Sequence, residues 1–170
     1  YGKPPEGTLI HQHTSHLSHR RIPKKKASYF VFTIVRDPYE RLASCYRAKF
    51  NHKDESKFMF SNYLFGYLKN DDSFEEFVRK ISKIPDMMCD RHFKAQNKMV
   101  FAYGTKVDFI GKFENLQSDF EKIRERFGFE ELPILNKSSG RSAADLFSDE
   151  TRALASKRYE KDFELFGYPN

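Results

Sequence analysis

Two kinds of apolar pattern follow one another between residues 29 and 50. Residues 29–35 form a short, continuous β-branched and aromatic run, which predicts a strand buried on both faces. After it, Leu42, Cys45 and Tyr46 recur at helical spacing and predict a helix over residues 38–50. The chain therefore passes from a buried strand directly into an amphipathic helix.

The starts of two helices are marked by capping residues. Asp37 suits an N-cap, Pro38 suits the first helical position, and Glu40 occupies the capping-box position. Ser73 with Glu76 has the same spacing ahead of another apolar stripe. We expect one helix to begin at residue 38 and another just after Ser73.

The second half of the chain repeats the order of strand and helix. Residues 107–113 predict a strand, residues 116–127 a helix stopped by Gly128, and a last helix runs from near Ser148 to Gly167. Between these halves, residues 84–105 predict a long loop. This order indicates one α/β domain over residues 1–170, with a small parallel sheet flanked by helices.

Composition narrows the class of protein. The chain has 170 residues, 39% apolar and 16% aromatic, enough for a folded domain with its own core. No apolar run approaches the roughly 20 residues that a membrane span needs, so we do not expect residues 1–170 to be embedded in a membrane. Cys45 and Cys89 are too few for a disulfide scaffold or a cysteine zinc site. We expect free thiols, and a single bridge is the alternative.

The net charge of +6 comes from one segment. Residues 8–36 contain six Lys or Arg and four His without an Asp or Glu, whereas residues 37–170 carry 23 basic and 23 acidic groups. Such a local field attracts an anion: a nucleotide, an acidic or sulfated polysaccharide, or a nucleic acid. A solvated basic loop is the alternative. No sequence motif of a specific nucleic-acid binder accompanies the charge.

Arg36 lies where an anion site is expected, between the first strand and its helix. Ligands of open α/β sheets bind at the carboxyl ends of strands, and a helix N-terminus offers unpaired N–H groups. The Arg36 guanidinium suits a phosphate, and Arg41 and Ser44 share one helix face. The alternatives are that Arg36 pairs with Asp37 or Glu40 and that Ser44 is a small packing residue.

The segment 32–46 resembles the 3′-phosphate-binding segment of Golgi carbohydrate sulfotransferases and their bacterial relatives, Arg-Asp-Pro-x-x-Arg-x-x-Ser-x-Tyr. Residues 108–119 and 159–168 are similar to two further signatures of that family. Residues 90–96 resemble its Asp-x-His-(Phe/Trp)-x-Pro-Gln loop, with Ala95 in place of the proline. The resemblance covers roughly residues 10–168 in order, and implies a P-loop-NTPase-like sulfotransferase fold.

The resemblance implies the donor 3′-phosphoadenosine-5′-phosphosulfate, the product adenosine 3′,5′-bisphosphate, no metal, and transfer of a sulfonate group to a carbohydrate hydroxyl. Different residues would bind the donor and the acceptor. The donor would be held by Arg36, Ser44, Arg41 and a second anion loop, Lys137, Ser138 and Arg141, for which a solvated turn is the alternative. The acceptor would contact His92 and Gln96, for which a structural role in the loop is the alternative. If the acceptor is an acidic sugar chain, it would also contact Arg20 and Arg21.

His11-Gln12-His13 resembles the His-x-His segment of uronyl 2-O-sulfotransferases, in which a histidine is the catalytic base. Residues 11 and 13 would share one face of a strand. We predict that His13 is the base and that His11 contacts the substrate. The alternatives are plain polar histidines or a metal site formed with His16 and His19.

The family's 5′-phosphosulfate loop, Pro-Lys-x-(Ala/Gly)-x-(Thr/Ser)-(Thr/Ser), has no clear match ahead of His11. The expectation is therefore an N-terminally incomplete fold that binds the donor poorly and transfers slowly. A catalytically silent, sulfotransferase-like nucleotide- or polyanion-binding domain is the alternative function. No membrane anchor is visible, and the oligomeric state stays open. A bacterial protein would be cytoplasmic, and a eukaryotic one would lie in the Golgi lumen.

Overall fold

A computed structural model describes residues 30–130 and 142–170. Within these ranges the chain forms two strands and five α-helices, joined by loops and short 3-10 turns. In chain order they are β1 (Phe32–Val35), α1 (Pro38–Lys49), α2 (Phe74–Ser82), α3 (Gln96–Val100), β2 (Phe109–Lys112), α4 (Leu116–Phe127) and α5 (Asp149–Phe166).

The two strands form a parallel sheet, as the order of elements predicted. Phe32 pairs with Phe109 and Val35 with Lys112, so both strands end at the same edge. A Cβ atom on Gly111 would lie 2.7 Å from Ile34 Cδ1 and 3.1 Å from Asp119 Cβ. Glycine therefore lets β2 approach both β1 and α4 closely. The α/β class and the small parallel sheet are confirmed, with strands shorter than predicted.

Both predicted helix starts are found, but they are completed differently. At α2 the Ser73 hydroxyl accepts the Glu76 N–H while the Glu76 carboxylate accepts the Ser73 N–H, which is a full capping box. At α1 the Asp37 carboxylate accepts the Glu40 N–H at 2.9 Å. The Asp37 N–H is instead bound by Glu114 Oε1 at 2.9 Å, from beyond β2. The bond from the N-cap N–H, which Glu40 would accept in a capping box, is thus accepted by Glu114 from a distant part of the chain.

The largest apolar assembly is an aromatic cluster between α1, α2 and the segment after α1. Phe77 and Phe93 are fully buried at its centre. The aromatic cluster consists of Tyr46, Phe50, Phe58, Phe60, Tyr63, Phe74, Phe77 and Phe93. Tyr159 of α5 donates its hydroxyl to the Phe93 carbonyl at 2.7 Å, which ties the cluster to the last helix.

Both cysteines are free thiols, as expected. Burial raises the pKa of Cys45 to about 12. Burial also raises the pKa of Cys89, although the Arg158 guanidinium beside it opposes the shift. Neither thiol is therefore disposed to act as a nucleophile near neutral pH.

The expectation of a loop throughout residues 84–105 is wrong at α3. This helix has no side-chain cap of its own at Ala95. Its first N–H groups are bound by the buried Asp162 carboxylate from α5, a partner 66 residues from Gln96. A local pattern cannot reveal such a cap. No helix in the described part of the chain combines the length and apolar character needed to cross a bilayer.

Candidate anion-binding site at the end of strand β1

Arg36 follows directly after β1, at the edge where both parallel strands end. Its guanidinium carbon lies 4.7 Å from the centre of the Phe113 ring. Its Nη2 atom lies 3.5 Å from Glu40 Oε2, which confirms the alternative that Arg36 pairs with Glu40. This separation is longer than the 2.7–2.9 Å of a strong charge-assisted bond. The Arg36 side chain is 22% exposed, so solvent reaches a cation that is only loosely paired.

Ser44 lies on the same face of α1 as Glu40, one turn further along the helix. Ser44 is partly buried, and no side chain or carbonyl of the described residues forms a hydrogen bond with its hydroxyl. Because Arg36 reaches Glu40, the guanidinium extends toward this face. Arg36 is thus paired with Glu40 at the start of α1, and Ser44 follows one turn after Glu40 on the same helix face.

The backbone at the start of α1 differs from the expectation of unpaired N–H groups. The Asp37 carboxylate accepts from the N–H groups of Glu40 and Tyr39, and Pro38 has none. Burial raises the pKa of the Asp37 carboxyl, and these two N–H groups oppose the shift. The first turn is therefore already capped, so an anion must be bound by side chains.

Arg41 holds the loop that precedes α3. Its Nη1 atom donates to the Lys94 carbonyl and its Nη2 atom to the Arg91 carbonyl, both at 2.7 Å. These bonds fasten residues 91–94 onto α1. In the structure the Arg41 guanidinium binds these two carbonyls, and its predicted contact with the donor stays a prediction.

His92 lies in this fastened loop and forms a pair with Asp90. Its Nδ1 atom is 2.6 Å from Asp90 Oδ1, and the same oxygen accepts the His92 N–H at 2.9 Å. A carboxylate at Nδ1 favours the tautomer with the proton on that nitrogen. The other ring nitrogen, Nε2, is then the one that can accept a proton or bind a hydroxyl. The imidazole is one-quarter exposed, so an acceptor can reach it.

Gln96 is buried beside Arg36. Its Oε1 atom accepts the Arg36 N–H at 3.0 Å, and its Nε2 atom donates to the Arg36 carbonyl at 2.7 Å. The carboxamide is thus fully engaged with the backbone of one residue, and Gln96 is only 5% exposed. Its predicted contact with the acceptor stays a prediction, whereas its observed contacts are those of a positioning residue.

The C-terminal signature packs against the strand ends. Tyr168 donates its hydroxyl to Glu114 Oε2 at 2.8 Å, while Glu114 Oε1 holds the Asp37 N–H. Lys112 donates to the Gly167 carbonyl at 2.8 Å and lies 4.3 Å from the centre of the Tyr168 ring. Burial, followed by the hydrogen bond to Glu114, raises the pKa of Tyr168. Glu114 therefore joins three parts of the chain next to Arg36.

The remaining predicted ligands lie outside the described residues. They are His11, His13, Arg20, Arg21, Lys137, Ser138 and Arg141. The residues that follow the predicted second anion loop are described, and they bind α1. Glu40 Oε1 accepts the Ala143 N–H at 2.9 Å, and Arg47 Nη2 donates to the Ser142 carbonyl at 2.8 Å. Within the described ranges, no three His, Cys, Asp or Glu side chains are grouped to share a metal ion.

Sequence reasoning missed the bonds from the Asp162 carboxylate to the start of α3 and the bonds from the Gln96 side chain to the Arg36 backbone. A signal for Asp162 was present, because it is a charged residue among Tyr159, Phe163 and Phe166 on the inward stripe of a helix. A buried carboxylate must be paired, so its position alone indicates several donors nearby. Which donors these are depends on how α5 packs against α3.

Comparison with known proteins identifies the family of the chain. The model of the sulfotransferase family matches residues 7–169, nearly the whole chain. The chain belongs to the sulfotransferase family. Carbohydrate sulfotransferase 14 of Danio rerio is 31% identical to this chain over 91% of the chain and 48% of its own length. Carbohydrate sulfotransferase 10 of Xenopus laevis is 26% identical over 94% of the chain and 55% of its own length.

The resemblance to the carbohydrate sulfotransferases is therefore confirmed. A third relative, carbohydrate sulfotransferase 12 of Xenopus laevis, is 25% identical over 94% of the chain and 48% of its own length. The chain spans about half the length of the curated relatives that it matches. No solved structure matches it significantly.

Proposed function

We propose that this sulfotransferase transfers a sulfonate group from 3′-phosphoadenosine-5′-phosphosulfate to a hydroxyl of a carbohydrate. The observation that carries the proposal is the loosely paired Arg36 guanidinium at the carboxyl edge of a parallel sheet, followed by α1, which carries Ser44. The names of the relatives, all carbohydrate sulfotransferases, support the class of acceptor. The P-loop-like topology of the family is part of the proposal.

The residues present suit the 3′-phosphate of such a donor. A guanidinium donates two parallel bonds to phosphate oxygens, and Ser44 adds a hydroxyl donor. Phe113 supports the guanidinium from one side, which leaves its edge for the anion. Lys137, Ser138 and Arg141 are proposed as further ligands, because the following residues Ser142 and Ala143 are bound to α1. When bound, the donor supplies the sulfonate group that is transferred.

The acceptor is proposed to lie near His92. Asp90 orients the imidazole, so that Nε2 can bind an acceptor hydroxyl. His13 remains the proposed base and His11 a proposed substrate contact, with Arg20 and Arg21 attracting an acidic sugar chain. A histidine near its ordinary pKa suits proton removal at neutral pH. In a eukaryotic cell the proposed compartment is the Golgi lumen.

Calorimetric titration tests the donor site with two nucleotides, adenosine 3′,5′-bisphosphate and adenosine 5′-monophosphate. We expect the chain to prefer the bisphosphate, and Arg36→Ala to weaken its binding by about tenfold to a hundredfold through lost charge-assisted bonds. Arg79→Ala is the matched control, because Arg79 is an exposed cation paired with Glu150 on α5. Equal binding of both nucleotides, or an Arg36→Ala affinity equal to the control's, would contradict the proposed donor site.

A further inference from the structure

Asp162 is a fully buried carboxylate that binds the start of α3. It lies on α5 and is 0% exposed. Its Oδ2 atom accepts the Gln96 N–H and its Oδ1 atom the Asn97 N–H, both at 2.7 Å. The Asn97 side-chain amide donates to Oδ1 as well. Three donors from two consecutive residues thus surround one carboxylate, which sets the position and direction of the Gln96 backbone.

Gln96 in turn binds the backbone of Arg36. Its side chain forms two hydrogen bonds to the Arg36 backbone, one through the N–H and one through the carbonyl. Such a reciprocal pair resembles the pairing of neighbouring strands, and it holds Arg36 just past the end of β1. Because both Gln96 and Asp162 are buried, solvent does not compete for these bonds.

We propose that Asp162 is a positioning residue for the 3′-phosphate site, acting through Gln96 on the backbone of Arg36. The guanidinium must meet a phosphate within a few tenths of an ångström to form two parallel bonds, so a shift of its backbone weakens them. Asp162 itself contacts no ligand. This inference rests on the proposed function, and it adds that selectivity for the 3′-phosphate depends on a carboxylate two contacts away from Arg36.

The test measures how strongly the chain prefers adenosine 3′,5′-bisphosphate over adenosine 5′-monophosphate. In Asp162→Asn an amide group faces the N–H groups of α3, and in Gln96→Leu both bonds to Arg36 are absent. Asp72→Asn is the matched control: Asp72 is 4% exposed, accepts the Lys69 N–H at 2.8 Å and pairs with Lys80, away from Arg36. All three variants are compared with the wild type by calorimetry and by thermal unfolding.

We expect Asp162→Asn and Gln96→Leu to reduce this preference by about tenfold, the cost of poorly formed charge-assisted bonds. Asp72→Asn should lower the melting temperature and leave the preference unchanged. If the two variants also lose stability but keep the wild-type preference, Asp162 is a structural cap only and the inference is wrong. If Asp162→Asn fails to fold, a wild-type preference in Gln96→Leu still overturns the inference, since Gln96 is the residue through which Asp162 is proposed to act.

The same data separate this inference from the proposed function. A wild-type chain without preference for the bisphosphate would overturn both, because no 3′-phosphate site would then exist. A wild-type preference that Arg36→Ala abolishes and Asp162→Asn retains would leave the proposed donor site intact and overturn the positioning role alone.

Discussion

The aromatic cluster and the polar end of the sheet are held together by different forces. In the cluster, Phe77 meets four other rings at centroid distances of 4.7–6.4 Å. At the polar end, defined by Arg36, Asp37, Gln96 and Glu114, the bonds of Gln96 and Glu114 to backbone atoms are 2.7–3.0 Å long. Ring packing depends on volume and area, whereas hydrogen bonds depend on direction.

The two kinds of interaction therefore determine different properties, namely the stability of the fold and the position of individual side chains. Burial of large rings contributes most of the free energy of folding but tolerates small displacements. Directional bonds contribute less net free energy, yet they determine where a guanidinium lies. We therefore expect substitutions in the aromatic cluster to change stability with little effect on nucleotide preference. Substitutions at the polar end should change nucleotide preference more than they change stability.

The largest expected effect is that of Phe77→Ala. Phe77 is fully buried, and its removal leaves a cavity that should lower the free energy of unfolding by about 3–5 kcal/mol. Urea titration followed by circular dichroism measures this loss. Phe65→Ala is the control, because Phe65 is fully exposed and should change stability by less than about 0.5 kcal/mol. Similar losses in both variants would argue against the cluster as the main core.

A smaller effect is expected from Asp119→Asn, and it should depend on pH. The Lys112 N–H and then the Lys122 ammonium lower the pKa of the Asp119 carboxyl. A lowered pKa stabilises the folded state above the unfolded value of about 3.9, and this contribution is lost as the pH falls through the folded pKa. Because the Lys122 ammonium is exposed, we expect about 1 kcal/mol at most.

Urea unfolding of the wild type and of Asp119→Asn between pH 3 and pH 7 checks this prediction. The difference in stability should be present at neutral pH and shrink below about pH 4. Phe77→Ala provides the contrast, since no titratable group is removed and its stability loss should be nearly constant over the same range. If the difference in the free energy of unfolding between Asp119→Asn and the wild type increased as the pH fell, the prediction would be contradicted.

The smallest expected effect concerns Glu40, whose carboxylate lies 3.5 Å from the Arg36 guanidinium. Glu40→Gln keeps an oxygen for the Ala143 N–H but removes a charge that competes for Arg36 and repels a phosphate. We expect binding of adenosine 3′,5′-bisphosphate to tighten by about twofold to fivefold, the size of an exposed ion pair.

Glu75→Gln is the control for charge alone. Glu75 pairs with Arg79 on the exposed side of α2, so its removal changes the net charge equally without touching Arg36. Calorimetry should show an unchanged affinity for Glu75→Gln. If Glu40→Gln bound the bisphosphate more weakly than the wild type, Glu40 would be needed to orient Arg36 instead of competing for it.

Local patterns were sufficient for most of the elements. The capping residue Asp37, the stop at Gly128 and the apolar stripes placed α1 and α4 within a residue or so of their observed bounds, and Ser73 placed the start of α2. The strands were predicted too long, since strand ends depend on the pairing partner. Helix α3 was not predicted, because its five residues depend on Asp162 instead of a local cap.

For the candidate site, the sequence by itself determined the chemistry: a cation at the end of a buried strand, a hydroxyl on the following helix, and an order of motifs typical of one family. Only the tertiary structure decided which groups bind the backbone around that cation: Gln96 binds Arg36, Glu114 binds Asp37, and Asp162 binds Gln96. Gln96, Glu114 and Asp162 lie between 60 and 126 residues from Arg36 along the chain. Hydrogen bonds are short and directional, so their partners are determined by how α3, α5 and β2 pack against β1.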